Sequence, residues 1–514
     1  MDFTKYLNRV LEIDAKQKLA RVQPGCVLDD LRDVAAKYEL TFGPDPATHS
    51  HCALGGMLGN NSCGIHSLLA AKYGRGLRTS DNTSALDVLT YDGDRMRVGE
   101  TSGEDLERII RAGGAQGAIY SKLKNLRDKY AEQIRTHMPQ LPRRVSGYNL
   151  NELLPENNFQ VARALVGSEG TLVTILEATL HLLPRPRANS LLVLGYPDAY
   201  AGADHLMEIL EFQPVGLEGM DELLIHWVVV KGKRTENLKL LPPGKGWLLV
   251  QFGGDSREDA DAQARRCMDK LRSGHDAPSM KLFDDPEEEE RLWKIRESGL
   301  SATAWVPGEP DNWPGFEDSA VPPDKVGPYL RELRSLMQKY NYKTSLYGHF
   351  GQGCIHCRIP FDLYTAEGIK KYESFMDEAT DLVVKYGGSI SGEHGDGQTR
   401  APYIHKMFGP ELMEAFREFK RIWDPHWKMN PGKLIDAYPL TADLRIGVDY
   451  SPPNPKTHFA YEGDKGTFAR AALRCVGVGE CRKKGGQTMC PSYMVTLEEE
   501  HSTRGRARLL WEML

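Results

Sequence analysis

The sequence has no long hydrophobic run, no excess of positive charge and few cysteines, and each shortage narrows what the chain can be. Its most apolar windows, Leu223–Val230 and Trp247–Phe252, fall far below the roughly 20 residues that a membrane-spanning helix needs. The opening residues carry no charged-then-apolar leader pattern. A net charge of −6 over 514 residues offers neither the basic footprint of a nucleic-acid binder nor a polybasic membrane anchor. Nine cysteines without a leader are expected in a reducing compartment, where a cluster of them serves metal binding better than disulfides. The expected location is therefore cytoplasmic, with attachment to the surface of the inner membrane as the other setting. The remaining composition, 40% hydrophobic and 26% charged, suits a globular chain of two or three domains.

Chemistry is concentrated between Tyr347 and Gly397, where His349, His356 and the Glu393-His394 pair lie among closely spaced glycines. Leu346–Phe350 and Cys354–Ile359 read as strands around a turn at Gly351, Gln352 and Gly353. A two-residue Gln352-Gly353 loop would set His349 opposite His356 on one face, with Cβ atoms roughly 5 Å apart. Two such imidazoles can share a metal ion, and Glu393 would add a third ligand while leaving a coordination position open, as catalytic sites do. The competing reading is a set of hydrogen-bonded histidines in a glycine-rich loop.

Two other segments are dense in glycine. In Leu54–Gly64 and in Val166–Thr171, glycine is costly in regular structure, so its density implies backbone lying close to a partner, either a phosphate or planar ring or simply another chain segment. Around them the chain alternates strand and helix signals. A hairpin is expected at Val10–Ile13 and Leu19–Val22, helices at 29–38 and 119–137, and strands at 85–90 and 95–98. Past the boundary at Pro184-Arg185-Pro186 come strands at 190–196 and 246–252 and helices at 201–211, 257–273, 285–298, 324–340, 366–386 and 411–423. Arg296 ends one of these helices and is a candidate clamp for an anionic substrate. After Ala437 the composition shifts through the linker Ser451-Pro452-Pro453-Asn454-Pro455. Cys475, Cys481 and Cys490 then fall within sixteen residues and read as thiolate ligands, one short of a complete cluster.

These motifs, with Asn430-Pro431-Gly432-Lys433-Leu434, resemble the FAD-linked D-2-hydroxy-acid dehydrogenases of the vanillyl-alcohol-oxidase/PCMH flavoprotein superfamily. More closely, the chain is similar to the large bacterial proteins that fuse such a dehydrogenase to an Fe–S module, a group including D-lactate and D-2-hydroxyglutarate dehydrogenases. The resemblance implies an α+β chain in three parts. A PCMH-type FAD-binding domain spans 1–187, an FAD-linked oxidase C-terminal domain with a ferredoxin-like sheet plus helices spans 188–438, and 439–514 begins a helical 4Fe-4S ferredoxin-type domain. It implies FAD contacts at Pro44, Asp45, Thr48, Gly55, Gly56, Gly59, Asn60, Asn61, Gly64, Gly167, Ser168, Glu169, Gly170, Thr171 and Asn430. His349, His356 and Glu393 become the ligands of zinc or manganese, His394 the catalytic base, Arg296 the substrate arginine, and Cys475, Cys481 and Cys490 the cluster ligands. Two parts of the family pattern are missing: an Arg-Gly-Gly-Gly phosphate loop before Val10, and further Cys-x-x-Cys motifs after Cys490. The chain is accordingly expected to be a piece cut at both ends. The function implied is oxidation of a small D-2-hydroxy acid to the 2-oxo acid, with electrons leaving through the Fe–S module to a quinone, a cytochrome or another electron carrier. A metallohydrolase built on the same His/His/Glu set, or a non-catalytic electron-transfer subunit, are the alternatives.

Overall fold

Hydrophobic alternation builds two five-stranded antiparallel sheets, and the reactive loops hang from the second. A computed structural model describes residues 3–232, 235–482 and 489–514. The first sheet joins β1 (Val10–Asp14), β2 (Leu19–Val22), β3 (Thr83–Leu89), β4 (Arg95–Gly99) and β5 (Thr174–His181) in the order β1-β2-β5-β3-β4. The opening hairpin forms as the sequence indicates, pairing Ile13 with Ala20. The Gly114–His137 helix lies against the His405–Trp423 helix, where the Tyr130 hydroxyl donates to Glu418 at 2.8 Å. That second helix begins earlier than its apolar spacing suggests, because two helical pieces meet at a kink. Gly409 adopts φ 69° and Pro410 follows it, a proline whose fixed φ suits a helix start.

The second sheet contains β6 (Ala188–Tyr196), β7 (Gly216–Asp221), β8 (Gly246–Gly254), β9 (Ser279–Phe283) and β10 (Tyr347–Gly348), ordered β9-β6-β8-β7-β10. It is apolar on both faces. Leu192, Leu194, Leu248, Val250 and Phe252 join the main core, while Leu191, Val193, Trp247 and Leu249 meet Leu224, Val228 and Trp293 in a second cluster. Successive strand residues face opposite sides, so one run of leucines and valines supplies both cores. The expected helix at 201–211 is two shorter ones, Ala199–Asp204 and Leu206–Leu210.

Two local expectations need correction. The Leu54–Asn60 stretch, where the glycine density argues against regular structure, is a helix. Leu54, Met57 and Leu58 bury one face of it, and this tertiary contact overrides the poor helix propensity of three glycines. The hairpin also has a different register. Tyr347, not His349, opposes His356, because Phe350–Gln352 winds into a 3-10 turn and lengthens the loop. Gly353 closes that turn at φ 77°, where an added Cβ would lie 1.8 Å from the Val321 carbonyl oxygen; no other residue fits there.

Beyond the linker, the short helices Phe468–Leu473, Pro491–Thr496 and Thr503–Met513 lie across both sheet-bearing regions. The Arg470 guanidinium donates to Asp311 at 2.6 Å and Arg482 to the Thr4 hydroxyl at 3.0 Å. Among the described residues no helix is long and apolar enough to cross a membrane.

Candidate active site

Antiparallel pairing delivers the first histidine to its partner. Tyr347 pairs with Met220 and Gly348 with Gly219, so the next residue, His349, arrives at Glu218. That carboxylate is fully buried, and its Oε1 lies 2.8 Å from His349 Nδ1. The other ring nitrogen, Nε2, faces Glu393 Oε1 at 2.9 Å, and His356 Nε2 reaches the same oxygen at 3.1 Å. Burial, helped by the His349 and His394 charges, lowers the His356 pKa to about 4 and keeps that ring neutral. Burial alone would raise the Glu393 carboxyl, but His349 and Arg143 hold it well below the usual carboxylate range.

The expected His349/His356/Glu393 trio is therefore assembled, by a register other than the one anticipated. Its partners constrain the tautomer of His349. With Nδ1–H donated to Glu218, the His349 Nε2 lone pair points at a carboxylate oxygen, and two lone pairs face each other unless a proton or a cation lies between them. Three donor atoms converging on one point, with one histidine oriented by a carboxylate behind it, suit a divalent ion. Asp318, His356, Glu393 and His394 also bring ligand atoms within 4.8 Å of one another, but Asp318 has another task. Its Oδ2 already accepts the Ser391 hydroxyl at 2.7 Å and the backbone N–H groups of Gly392, Glu393 and His394 at 3.1, 3.0 and 2.7 Å. Asp318 is the template on which the Glu393-His394 turn is folded.

His394 stacks on His356 with ring centroids 5.2 Å apart and planes at 4°. Its Nδ1 lies 3.4 Å from Glu317, which Arg400 holds at 3.1 Å, and its Nε2 lies 3.6 Å from Glu393. Burial opposes its charged form, yet the Asp318, Glu317 and Glu393 carboxylates outweigh that and raise the imidazole to about 9. Its side chain is 41% exposed, so solvent screens part of this field. Without a cation nearby the surrounding carboxylates thus favour the charged form of His394 at neutral pH, whereas the resemblance implies a base.

A cavity of about 620 Å³ joins this cluster to the first domain, lined among others by Thr48, Gly56, Asn60, Arg296, His356 and His394. Here the glycines of the Leu54–Asn60 helix have a use. A Cβ added at Gly56 or Gly59 would meet nothing within 4 Å, so the helix offers an open backbone face to a flat group such as a flavin ring. Several other residues expected to contact FAD make bonds within the protein. Pro44 is buried, Asp45 accepts the backbone N–H and Nδ1 of His66 at 2.7 and 2.6 Å, and Gly55 packs against Pro24 and Gly64 against the Asp45 backbone. Asn61 ends the helix in a left-handed conformation and accepts the Ser80 N–H. The second glycine segment is a strut. Gly167 N–H donates to Leu58 and Glu169 N–H to Gly59, while Ser168 carbonyl accepts from Thr171. Glu169 carboxylate accepts from Asp396 and Gly397 at 2.6 and 2.9 Å, and its carbonyl accepts from Asn430 at 2.8 Å. Gly170 is exposed. This turn ties the Leu54–Asn60 helix to the Glu393-His394 loop, and Asn60 adds a bond to the His394 carbonyl at 3.1 Å.

Of the cysteines, Cys481 and Cys490 pack beside Tyr493, whereas Cys475 is exposed. The next residues, Val476 and Gly477, form part of the cavity wall. Arg296 is buried and committed to Glu218 at 2.6 Å. Sequence reasoning missed Glu218, Arg143 and Arg358. A carboxylate inside the apolar run Leu217–Met220 was a usable signal for the first. For the second there was none, since an arginine in a loop is ordinarily solvated. Arg358, two residues past His356, also lines the cavity, and its i, i+2 spacing was available to notice.

Comparison with known proteins bears on the two domains. Residues 185–434 match the FAD linked oxidases, C-terminal domain, and residues 1–99 match an FAD binding domain. The chain is 28% identical to D-2-hydroxyglutarate dehydrogenase of Haemophilus influenzae, with 100% of this chain and 51% of the relative covered. It is also 28% identical to a D-lactate dehydrogenase of Archaeoglobus fulgidus over 83% of this chain and 79% of the relative. It thus spans about half the length of the D-2-hydroxyglutarate dehydrogenases it matches. A 4-ethylphenol oxidase from Gulosibacter chungangensis shares the fold at TM-score 0.55 and 12% identity, covering 85% of this chain and 80% of that one. The chain accordingly carries a segment similar to an FAD binding domain, followed by one similar to the C-terminal domain of the FAD linked oxidases.

Proposed function

We propose that this chain forms the catalytic part of an FAD-dependent dehydrogenase that oxidises a D-2-hydroxy acid to the 2-oxo acid. The observation that carries the reading is the approach of His349 Nε2 and His356 Nε2 to the same oxygen, Glu393 Oε1, at 2.9 and 3.1 Å, at a cavity that the glycine face of the Leu54–Asn60 helix also lines. When bound, zinc or manganese on that trio would act as a Lewis acid toward the substrate hydroxyl and oppose the imidazolium charge of His394, FAD would accept the C2 hydride, and a 4Fe-4S cluster on Cys475, Cys481, Cys490 and a further ligand would pass electrons singly to a downstream carrier.

The protein's own groups do the rest. Glu218 fixes the His349 tautomer and holds Arg296 at the cavity wall. Glu317, tied to Arg400, orients Nδ1 of His394 and leaves Nε2 facing Glu393 and the cavity, the placement required of the group that takes the hydroxyl proton. Arg143 spans Glu393 Oε2, Gln352 and the Gly64 carbonyl at 2.9, 2.6 and 2.6 Å, so only Oε1 remains for the ion. The test is anaerobic addition of D- and L-hydroxy acids to the flavin-loaded protein. Flavin bleaching with a D-acid and none with its L-isomer is expected, and retained flavin that no D-acid bleaches would refute the proposal.

A further inference from the structure

Among the described residues, one cation at the cavity makes no ion pair, although Glu317 lies within reach of its charge. Arg358 is 8% exposed, lines the cavity beside His356 and His394, and only its backbone carbonyl, bonded to Thr344, takes part in a hydrogen bond. Among the described residues its guanidinium has no hydrogen-bond or ion-pair partner. The neighbouring arginines each face a carboxylate, Arg143 that of Glu393, Arg296 that of Glu218 and Arg400 that of Glu317, although Nε and Nη2 of Arg296 make no hydrogen bond. The two inward carboxylates are matched as well, Glu393 by Arg143 and His349 and Glu317 by Arg400 and His394. A guanidinium stays charged at any physiological pH and presents a planar fork suited to a carboxylate. Buried and unpaired, it is a site waiting for an anion.

Its distance from the metal trio limits what that anion belongs to. The chain is extended between bridges at His356 and Ile359, so Arg358 lies on the order of 7 Å along the strand from the ligand histidine. A substrate whose C1 carboxylate and C2 hydroxyl sit at the His349/His356/Glu393 end would bring a carboxylate two or three carbons further on to Arg358. We propose that Arg358 is the specificity-determining residue that binds the distal carboxylate, selecting four- or five-carbon D-2-hydroxy diacids over monoacids such as D-lactate. Arg296, held by Glu218, serves the near end. This rests on the hydroxy-acid reading above.

Arg358→Leu and Arg358→Lys separate the possibilities. Charge-assisted hydrogen bonds of this kind correspond to roughly 10- to 150-fold in a binding constant. The ratio of diacid to monoacid efficiency, measured by flavin reduction with D-2-hydroxyglutarate, D-malate and D-lactate, is expected to fall by about that factor in the leucine variant and to recover in part with lysine. Calorimetric titration with glutarate and with butyrate gives a readout independent of turnover: the parent binds glutarate more tightly and the leucine variant loses the preference. An equal loss toward monoacid and diacid, or no glutarate preference in the parent, overturns the assignment. Glutarate preference that depends on Arg358, together with no flavin reduction by any hydroxy acid, upholds the anion site and refutes the dehydrogenase reading instead.

Discussion

Replacing Arg143 by methionine removes the one charge that neutralises the outer oxygen of Glu393. Arg143 is fully buried and Glu393 nearly so. In the variant, Glu393 Oε2 and Gln352 Oε1 lose their donors at 2.9 and 2.6 Å, whereas the Gly64 carbonyl keeps Gln352 Nε2 at 3.3 Å. Breaking a buried pair from one side costs about 3–5 kcal/mol, because the surviving charge is left without compensation. For a region of this size that corresponds to a fall of roughly 6–20 °C in melting temperature. Glu393→Gln alone leaves Arg143 uncompensated and should cost a similar amount. The double variant removes both charges together and should be much less destabilised than the sum. The assay is urea unfolding of all four proteins in chelator, so that no metal contributes. A coupling energy of at least about 1.5 kcal/mol is expected for residues in direct contact. Additivity within about 0.5 kcal/mol, or an Arg143→Met loss below about 1 kcal/mol, would refute the reasoning.

Glu218→Gln keeps an acceptor for His349 Nδ1 but loses the charge behind it; metal affinity measured by competition with a chelator should weaken by about 10- to 100-fold, as for other oriented metal histidines. Gly395 has φ +88° and a Cβ there would lie 2.7 Å from Glu169 Oε1, so Gly395→Ala should cost about 1–3 kcal/mol in thermal unfolding and loosen the His394 loop. The Asp45–His66 pair predicts a pH window. Burial opposes both charges, but each outweighs it for the other, raising His66 above 6.5 and lowering Asp45 below 3.8. The His66 contribution is full below pH 6.5 and fades as pH rises through its folded value, and that of Asp45 is full above pH 3.8 and fades as pH falls. Stability relative to Asp45→Asn should therefore be greatest between about pH 4 and 6.5, and a pH-independent difference would contradict the pairing.

The long helices were readable because their apolar residues recur at helical spacing over many turns: Ala366–Lys385, Val326–Lys339 and Arg257–Arg272 begin and end close to where the sequence places them. β6 and β8 were readable from β-branched and leucine runs, although periodicity could not say that one run feeds two cores. The helix at Leu54–Asn60 was hidden by its glycines, whose cost is offset only by contacts distant in sequence. The hairpin register was hidden by a 3-10 turn that no residue at 350–352 announces. The His349/His356/Glu393 cluster could be named from sequence because its residues crowd into two short motifs. The residues that make it work could not: Arg143 and Glu218 lie 250 and 175 positions before Glu393, and their burial is a property of the folded chain alone. The pairing of Arg296 with Glu218 belongs to the same class, and it moves the free cation of the cavity to Arg358.

The central claim is that the His349/His356/Glu393 site holds a cation that engages the substrate next to the flavin. Its most direct test is stopped-flow flavin reduction by a D-2-hydroxy acid before chelation, after chelation, and after zinc or manganese is restored. The yellow chelated protein is expected to keep its flavin yet fail to bleach, with reduction returning on metal addition in the parent but not in His356→Ala. Bleaching at an undiminished rate in the chelated protein would contradict the account.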